Sequence, residues 1–106
     1  MLGGVTIENP ATVSIDVDVT VGADTVIEPF VRLLGRTAVG EQCRIGAGAV
    51  VENSRLGDGV ELLPYTLLAD SEVDTGAHLG PFSRLRPGNR VGAGAKVGNF
   101  VELKNT

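Results

Sequence analysis

The chain has 106 residues, of which 42% are hydrophobic but only 4% aromatic, and it carries a net charge of −4. That is enough for one domain, but the bulky rings that usually fill a thick globular core are missing, so a thin core of Val, Ile, Leu and small residues is expected. The acidic balance argues against nucleic acid as a partner. No apolar run reaches membrane-spanning length and Met1 to Gly4 has no basic leader, so no membrane association and a cytoplasmic location are expected.

Residues 1–14, where Gly3, Gly4 and Pro10 interrupt Val5, Ile7 and Val13, read as a lead-in strand. From Ile15 an aliphatic residue recurs every sixth position: Ile15, Val21, Ile27, Leu33, Val39, Ile45 and Val51. It continues through Leu56, Leu62, Leu68, Val73, Leu79, Leu85, Val91, Val97 and Leu103, with two steps of five, Val51 to Leu56 and Leu68 to Val73. A period of six belongs neither to a helix nor to a simple hairpin strand, and it points to stacked coils. The fifth place of most units is small or compact (Thr25, Val31, Thr37, Cys43, Ala49, Thr66, Ala77, Ser83), so the openers and the fifth places are both expected to face inward. Glycine often follows the opener, as at Gly22, Gly40, Gly46 and Gly57, and proline takes the third place at Pro29, Pro64, Pro81 and Pro87, which reads as corner chemistry based on positive φ and pre-set turns.

Three units make an eighteen-residue circuit whose short strands pair in parallel with the circuits above and below. The expected fold is all-β, a parallel β-helix of about five coils over residues 15–106. It looks cut short at its C-terminal end, because nothing after Leu103 reads as a cap.

Few residues are candidates for chemistry. Cys43, the one cysteine, sits at an inward place and reads as core packing. His78, the one histidine, reads as a surface residue, and a single histidine cannot supply the several that a zinc site of the γ-carbonic-anhydrase type needs, so no metal is expected. The acids Asp16, Asp18, Asp70, Glu72 and Asp74 read as solvated. Charge is unevenly distributed: residues 84–106 hold five basic residues against Glu102, net +4, whereas residues 1–83 are net −8. Arg86 and Lys104 each follow an opener directly and stand one circuit apart, so they should stack at one corner, where paired cations invite an anion.

The segments Gly4 to Val31, GPFSRLRPG (Gly80 to Gly88) and VGNFVELK (Val97 to Lys104) resemble the start of the acetyltransferase domain of the bacterial bifunctional glucosamine-1-phosphate acetyltransferase / N-acetylglucosamine-1-phosphate uridylyltransferase family. The resemblance covers essentially the whole chain. It implies a left-handed coil, a homotrimer, and a place in UDP-N-acetylglucosamine synthesis for the cell wall. It also implies that Arg86 and Lys104 contact the sugar phosphate, glucosamine 1-phosphate or its product, bound weakly. The family's general-base histidine and acetyl-CoA contacts fall beyond Thr106, so this chain by itself is expected neither to bind acetyl-CoA nor to catalyse. Two readings stand side by side: a fragment of the acetyltransferase domain, or a structural or trimerisation β-helix module, natural or engineered, without ligand.

Overall fold

The computed structural model describes residues 4–85 and 88–98, together with the backbone of residues 102–103. Two- and three-residue strands lie on three parallel sheets, and the chain visits them in strict rotation. Face A carries Thr6–Ile7, Val26–Ile27, Arg44–Ile45, Glu61–Leu62, His78–Leu79 and Lys96–Val97. Face B carries Ser14–Ile15, Arg32–Leu34, Val50–Glu52, Leu67–Ala69, Arg84–Leu85 and Glu102–Leu103. Face C carries Thr20–Val21, Ala38–Val39, Arg55–Leu56, Glu72–Val73 and Arg90–Val91. The result is a three-sided parallel β-helix of about five coils, with edges here named AB, BC and CA after the faces they join.

The six-residue period works because each strand exposes one side chain and buries the next, while the corner turns the chain toward the following face. Ile27, Ile45, Leu62 and Leu79 stack inside face A, Leu33, Val51, Leu68 and Leu85 inside face B, and Val39, Leu56, Val73 and Val91 inside face C, all buried. Each such side chain contributes about 1.5–3 kcal/mol of transfer free energy. The small places fill the three inner corners: Thr25, Cys43, Val60 and Ala77 line the CA edge, and Val31, Ala49, Thr66 and Ser83 the AB edge, also buried. Their hydroxyls are satisfied by corner carbonyls: Thr25 Oγ1 donates to the Gly40 carbonyl at 2.9 Å, and Thr66 Oγ1 donates to the Leu63 carbonyl at 2.7 Å. Among the described residues, no buried side-chain nitrogen or oxygen lacks a partner.

The chain joins the helix early: Thr6–Ile7 pairs with Val26–Ile27, and a 3-10 turn at Pro10–Thr12 takes up the extra length before Ser14–Ile15.

The corner glycines differ from expectation. Those that follow an opener do not hold positive φ; Gly22, Gly40, Gly46 and Gly57 stand where coils nearly touch, so that a Cβ on Gly22 would lie 2.6 Å from the Gly40 carbonyl carbon, and one on Gly57 2.7 Å from the Thr75 nitrogen. Positive φ falls two or three places past the opener instead, at Gly48, Gly59, Gly76 and Gly94 but also at Asp24, Phe30, Gln42, Asn53, Tyr65, Asp70 and Phe82. The reason is geometric. The residue after the strand passes directly over the coil below, and the left-handed residue comes later, where the corner reverses its curvature.

Candidate functional site

Arg86 and Lys104, for which the family resemblance implies contact with the sugar phosphate, lie outside the described residues. The residues just before them are described: Leu85 and Leu103 are direct partners in the face B ladder, as are Arg84 and Glu102. The step between the two segments is therefore one coil, in register.

A shaped feature among the described residues lies on the BC edge. Coils opening at Val51 and Leu68 each turn this edge with one residue fewer, through Asn53 at φ 48° and Asp70 at φ 47°, and the chain is drawn in there. In those units the small inward residue moves to the fourth place, so Ser54 and Ser71 are both 3% exposed and take the role Thr37 plays one coil earlier. The drawn-in edge leaves an open groove of about 350 Å³, with Arg36, Asn53, Arg55, Asp70 and Glu72 on its walls. Polar bonds hold the rim: Asn53 Oδ1 accepts from the Arg36 amide at 2.9 Å, and the Gly88 amide donates to the Asp70 carbonyl at 3.0 Å, tying the groove to the corner of the RLRPG segment. Sequence reasoning registered the five-residue steps but not the groove; the signal was the pairing of both steps on the same edge, seventeen residues apart.

The charged side chains form outward ladders. On face A, Arg44 bonds Glu28 at 2.6 Å and His78 Nδ1 lies 2.8 Å from Glu61 Oε1, with Lys96 the next register partner of His78. His78 is a surface side chain, 46% exposed, held by a carboxylate on the neighbouring strand. On face C, Arg55, Glu72 and Arg90 follow one another in register, and Arg90 Nε stands 3.9 Å from Asp74. Exposed pairs of this kind are worth about 0–1 kcal/mol each. Asp16 does more than meet solvent, because its Oδ2 accepts from the Gly35 amide at 2.8 Å and braces the BC corner of the next coil.

Cys43 is buried, its Sγ 3.1 Å from the Gly57 carbonyl oxygen. Burial pushes its thiol above the usual range, and the Asp58 charge adds to this, while nearby backbone amides oppose it. A thiol so placed is a poor nucleophile. Among the described residues, no cluster of His, Cys, Asp or Glu is arranged to hold a metal ion, and no helix is long and apolar enough to cross a membrane.

Residues 18–53 match the family model described as bacterial transferase hexapeptide (six repeats). The whole chain aligns at 56% identity with a protein named "Bifunctional protein GlmU" from Anaeromyxobacter dehalogenans, of which it covers 22%. It aligns at 49% with the protein of that name from Koribacter versatilis, of which it covers 23%. Over 102 residues it is 50% identical to the one from Mycolicibacterium gilvum. The chain thus spans about a fifth of the length of these relatives, and the resemblance carried by GPFSRLRPG and VGNFVELK extends along all of it. Among solved structures, the acetyltransferase domain of PglB from Neisseria gonorrhoeae superposes with a TM-score of 0.90 at 16% identity, covering 95% of this chain and 49% of that one. A hexapeptide transferase family protein from Anaplasma phagocytophilum gives 0.55 at 14% identity, over 90% of this chain and 70% of that one. At such identities the likeness concerns the fold, a left-handed parallel β-helix.

Proposed function

We propose, from the premise that this chain is a homologue of one segment of the bifunctional GlmU proteins, that it forms the opening coils of an acetyltransferase domain. In the larger protein this domain would make N-acetylglucosamine 1-phosphate from glucosamine 1-phosphate and acetyl-CoA, in the cytoplasm, for UDP-N-acetylglucosamine and the cell wall. The observation that carries the proposal to particular residues is the register of Leu85 on Leu103, one coil apart, with Arg86 and Lys104 next in the chain. Two cations in adjacent rows would hold a phosphate between them, the guanidinium through two parallel hydrogen bonds and the ammonium as a point charge.

The chain's own residues would bind and orient the sugar phosphate but not move its proton. Its one histidine, His78, is on face A with Glu61, and acetyl transfer needs a base within reach of the attacking amine. Acetyl-CoA is accordingly a substrate of the larger protein and not a ligand of these coils. Self-association as a homotrimer belongs to the same proposal.

The test is a titration of labelled protein with glucosamine 1-phosphate and with N-acetylglucosamine 1-phosphate, followed by NMR. Dissociation in the millimolar range is expected, since exposed ion pairs contribute only about 0–1 kcal/mol each, and it should weaken with salt. Shifts at Arg86 and Lys104 that vanish in Arg86→Ala support the site. Shifts elsewhere, or none at several times that concentration, overturn it.

A further inference from the structure

The two short corners of the BC edge lie between longer ones. The step from Leu33 to Val39 below them has six residues, and so does the step from Leu85 to Val91 above, whereas Val51 to Leu56 and Leu68 to Val73 have five. The groove is therefore a recess with two lips, Gly35 and Arg36 below, Gly88 and Asn89 above. Backbone bonds of 3.0 Å tie the upper lip down, from the Gly88 amide to the Asp70 carbonyl and from the Glu72 amide to the Asn89 carbonyl. The floor carries small side chains. Ser54 and Ser71 are buried with their hydroxyls turned back onto their own corners, Ser54 Oγ donating to the Glu52 carbonyl at 2.9 Å and Ser71 Oγ to the Ala69 carbonyl at 2.8 Å.

The charges of the recess are sorted by height. Arg36 and Arg55 belong to its lower two coils, Asp70 and Glu72 to the coil above, with Ala38, Arg55 and Glu72 in one register on face C. Opposite charges in register elsewhere meet: His78 and Glu61, partners on face A, stand 2.8 Å apart. Arg55 and Glu72 are register partners too, yet among the described residues neither they nor Arg36 and Asp70 make an ion pair. Asn53 adds a donor to the lower half, because its Oδ1 is taken by the Arg36 amide while its Nδ2 has no partner among the described residues. Exposed charges are ordinary on a surface. Here the two signs are held apart on opposite halves of one recess, cationic donors below and carboxylates above, which is a dipolar site.

Size narrows the occupant. A volume of about 350 Å³ equals roughly ten waters at about 30 Å³ each and lies at the small end of ligand sites. Arg36 and Asp70 are two coils apart, about 10 Å at the strand spacing. An extended dipeptide spans about 7 Å, and the lengths of the four charged side chains cover the difference. A single amino acid, with both charges on one carbon, is too short to reach both halves. We propose that the recess binds a short linear zwitterion of dipeptide length, its carboxylate held by Arg36, Arg55 and Asn53 and its ammonium by Asp70 and Glu72. The site is separate from the one assigned above to the sugar phosphate.

The test is an NMR titration of the labelled 106-residue chain with glycylglycine and with its two singly charged relatives, N-acetylglycylglycine and glycylglycinamide. It is run at constant ionic strength and below pH 7, where the free amine is protonated. Glycylglycine should shift the Asn53 side-chain amide and the Arg36 and Arg55 Nε–H signals. Each blocked compound should bind about five-fold more weakly, the upper end for loss of one exposed ion pair. Arg55→Gln and Glu72→Gln, both on exposed side chains, should weaken glycylglycine to the same degree with an unchanged circular dichroism spectrum. Arg55→Gln should leave glycylglycinamide, which has no carboxylate, unaffected. Equal binding of the three compounds, shifts that avoid the recess, or no shift at tens of millimolar overturns the proposal, and these outcomes are read on the wild type even if a variant fails to fold. N-acetylglucosamine 1-phosphate, which has no ammonium, should leave the glycylglycine shifts in place; their loss overturns the recess as a separate site. Failure of the sugar-phosphate titration leaves this proposal standing, and the reverse holds as well.

Discussion

Gly46→Ala isolates the reason this fold places glycine after its strands. Gly46 leaves face A just past Ile45, its amide donates to the Leu62 carbonyl at 2.6 Å, and a Cβ there would stand 2.6 Å from that same oxygen and from the Pro64 nitrogen. Ordinary contact begins near 3.4 Å, so the two coils must separate by close to a further 0.8 Å at a point where both sides are backbone. No side chain can rotate away. Overpacking of this kind costs about 1–3 kcal/mol, and weakening the ladder bonds on either side adds about 1 kcal/mol each, for a total of about 3–5 kcal/mol. That is a large share of the roughly 5–15 kcal/mol that stabilises a domain of this size. Gly59→Ala serves as the internal control: Gly59 has φ 66° and open space around its Cβ position, so only left-handed strain of about 1–2 kcal/mol is expected. Urea unfolding of both variants measures the difference. If Gly46→Ala cost no more than Gly59→Ala, the close-approach argument would fail and conformational freedom would be the reason for both glycines.

Two other perturbations probe the core. Ile45→Asp places a carboxylate where the native side chain is fully buried between Ile27 and Leu62; the loss should exceed about 4 kcal/mol at neutral pH and be partly recovered below about pH 4, where the acid is protonated in both states, as equilibrium unfolding against pH would show. A melting transition within a degree or two of wild type would refute the inward assignment of the openers. For Cys43 the thiol is raised by burial in the folded state, so above the ordinary thiol range of about 8.5 the unfolded chain releases its proton first. Stability should be complete below that pH and decline as pH rises toward the folded value, and the decline should be absent in Cys43→Ala; an identical alkaline limb in the variant would refute this.

The period of six was sufficient, without coordinates, to define a coil, its three faces and the residues that line it, because burial acts on one residue at a time and leaves its mark in the pattern. Ile27, Leu33 and Val39 belong to three different sheets, yet each is recognisable from spacing alone, and so are Thr25 and Ala49 as corner fillers. The same spacing puts Arg86 and Lys104 one circuit apart, a step that the pairing of Leu85 with Leu103 matches, while the two residues themselves lie outside the described ones. What the tertiary structure decided depends on residues seventeen or eighteen apart meeting in space. Gly22 and Gly46 look like turn glycines in sequence and prove to be points of contact between coils, because the distance to the next coil is not encoded in any local window. The two five-residue steps read as small irregularities, but stacked on one edge they carve the groove beside Asn53 and Asp70. Phe30, Tyr65 and Phe82 look like scattered aromatics until stacking aligns them on a single edge, and only the backbone angles show that each holds a conformation its side chain disfavours. Direction of burial is a one-dimensional property of this chain, whereas strain, close approach and surface continuity arise only when its coils are laid on one another.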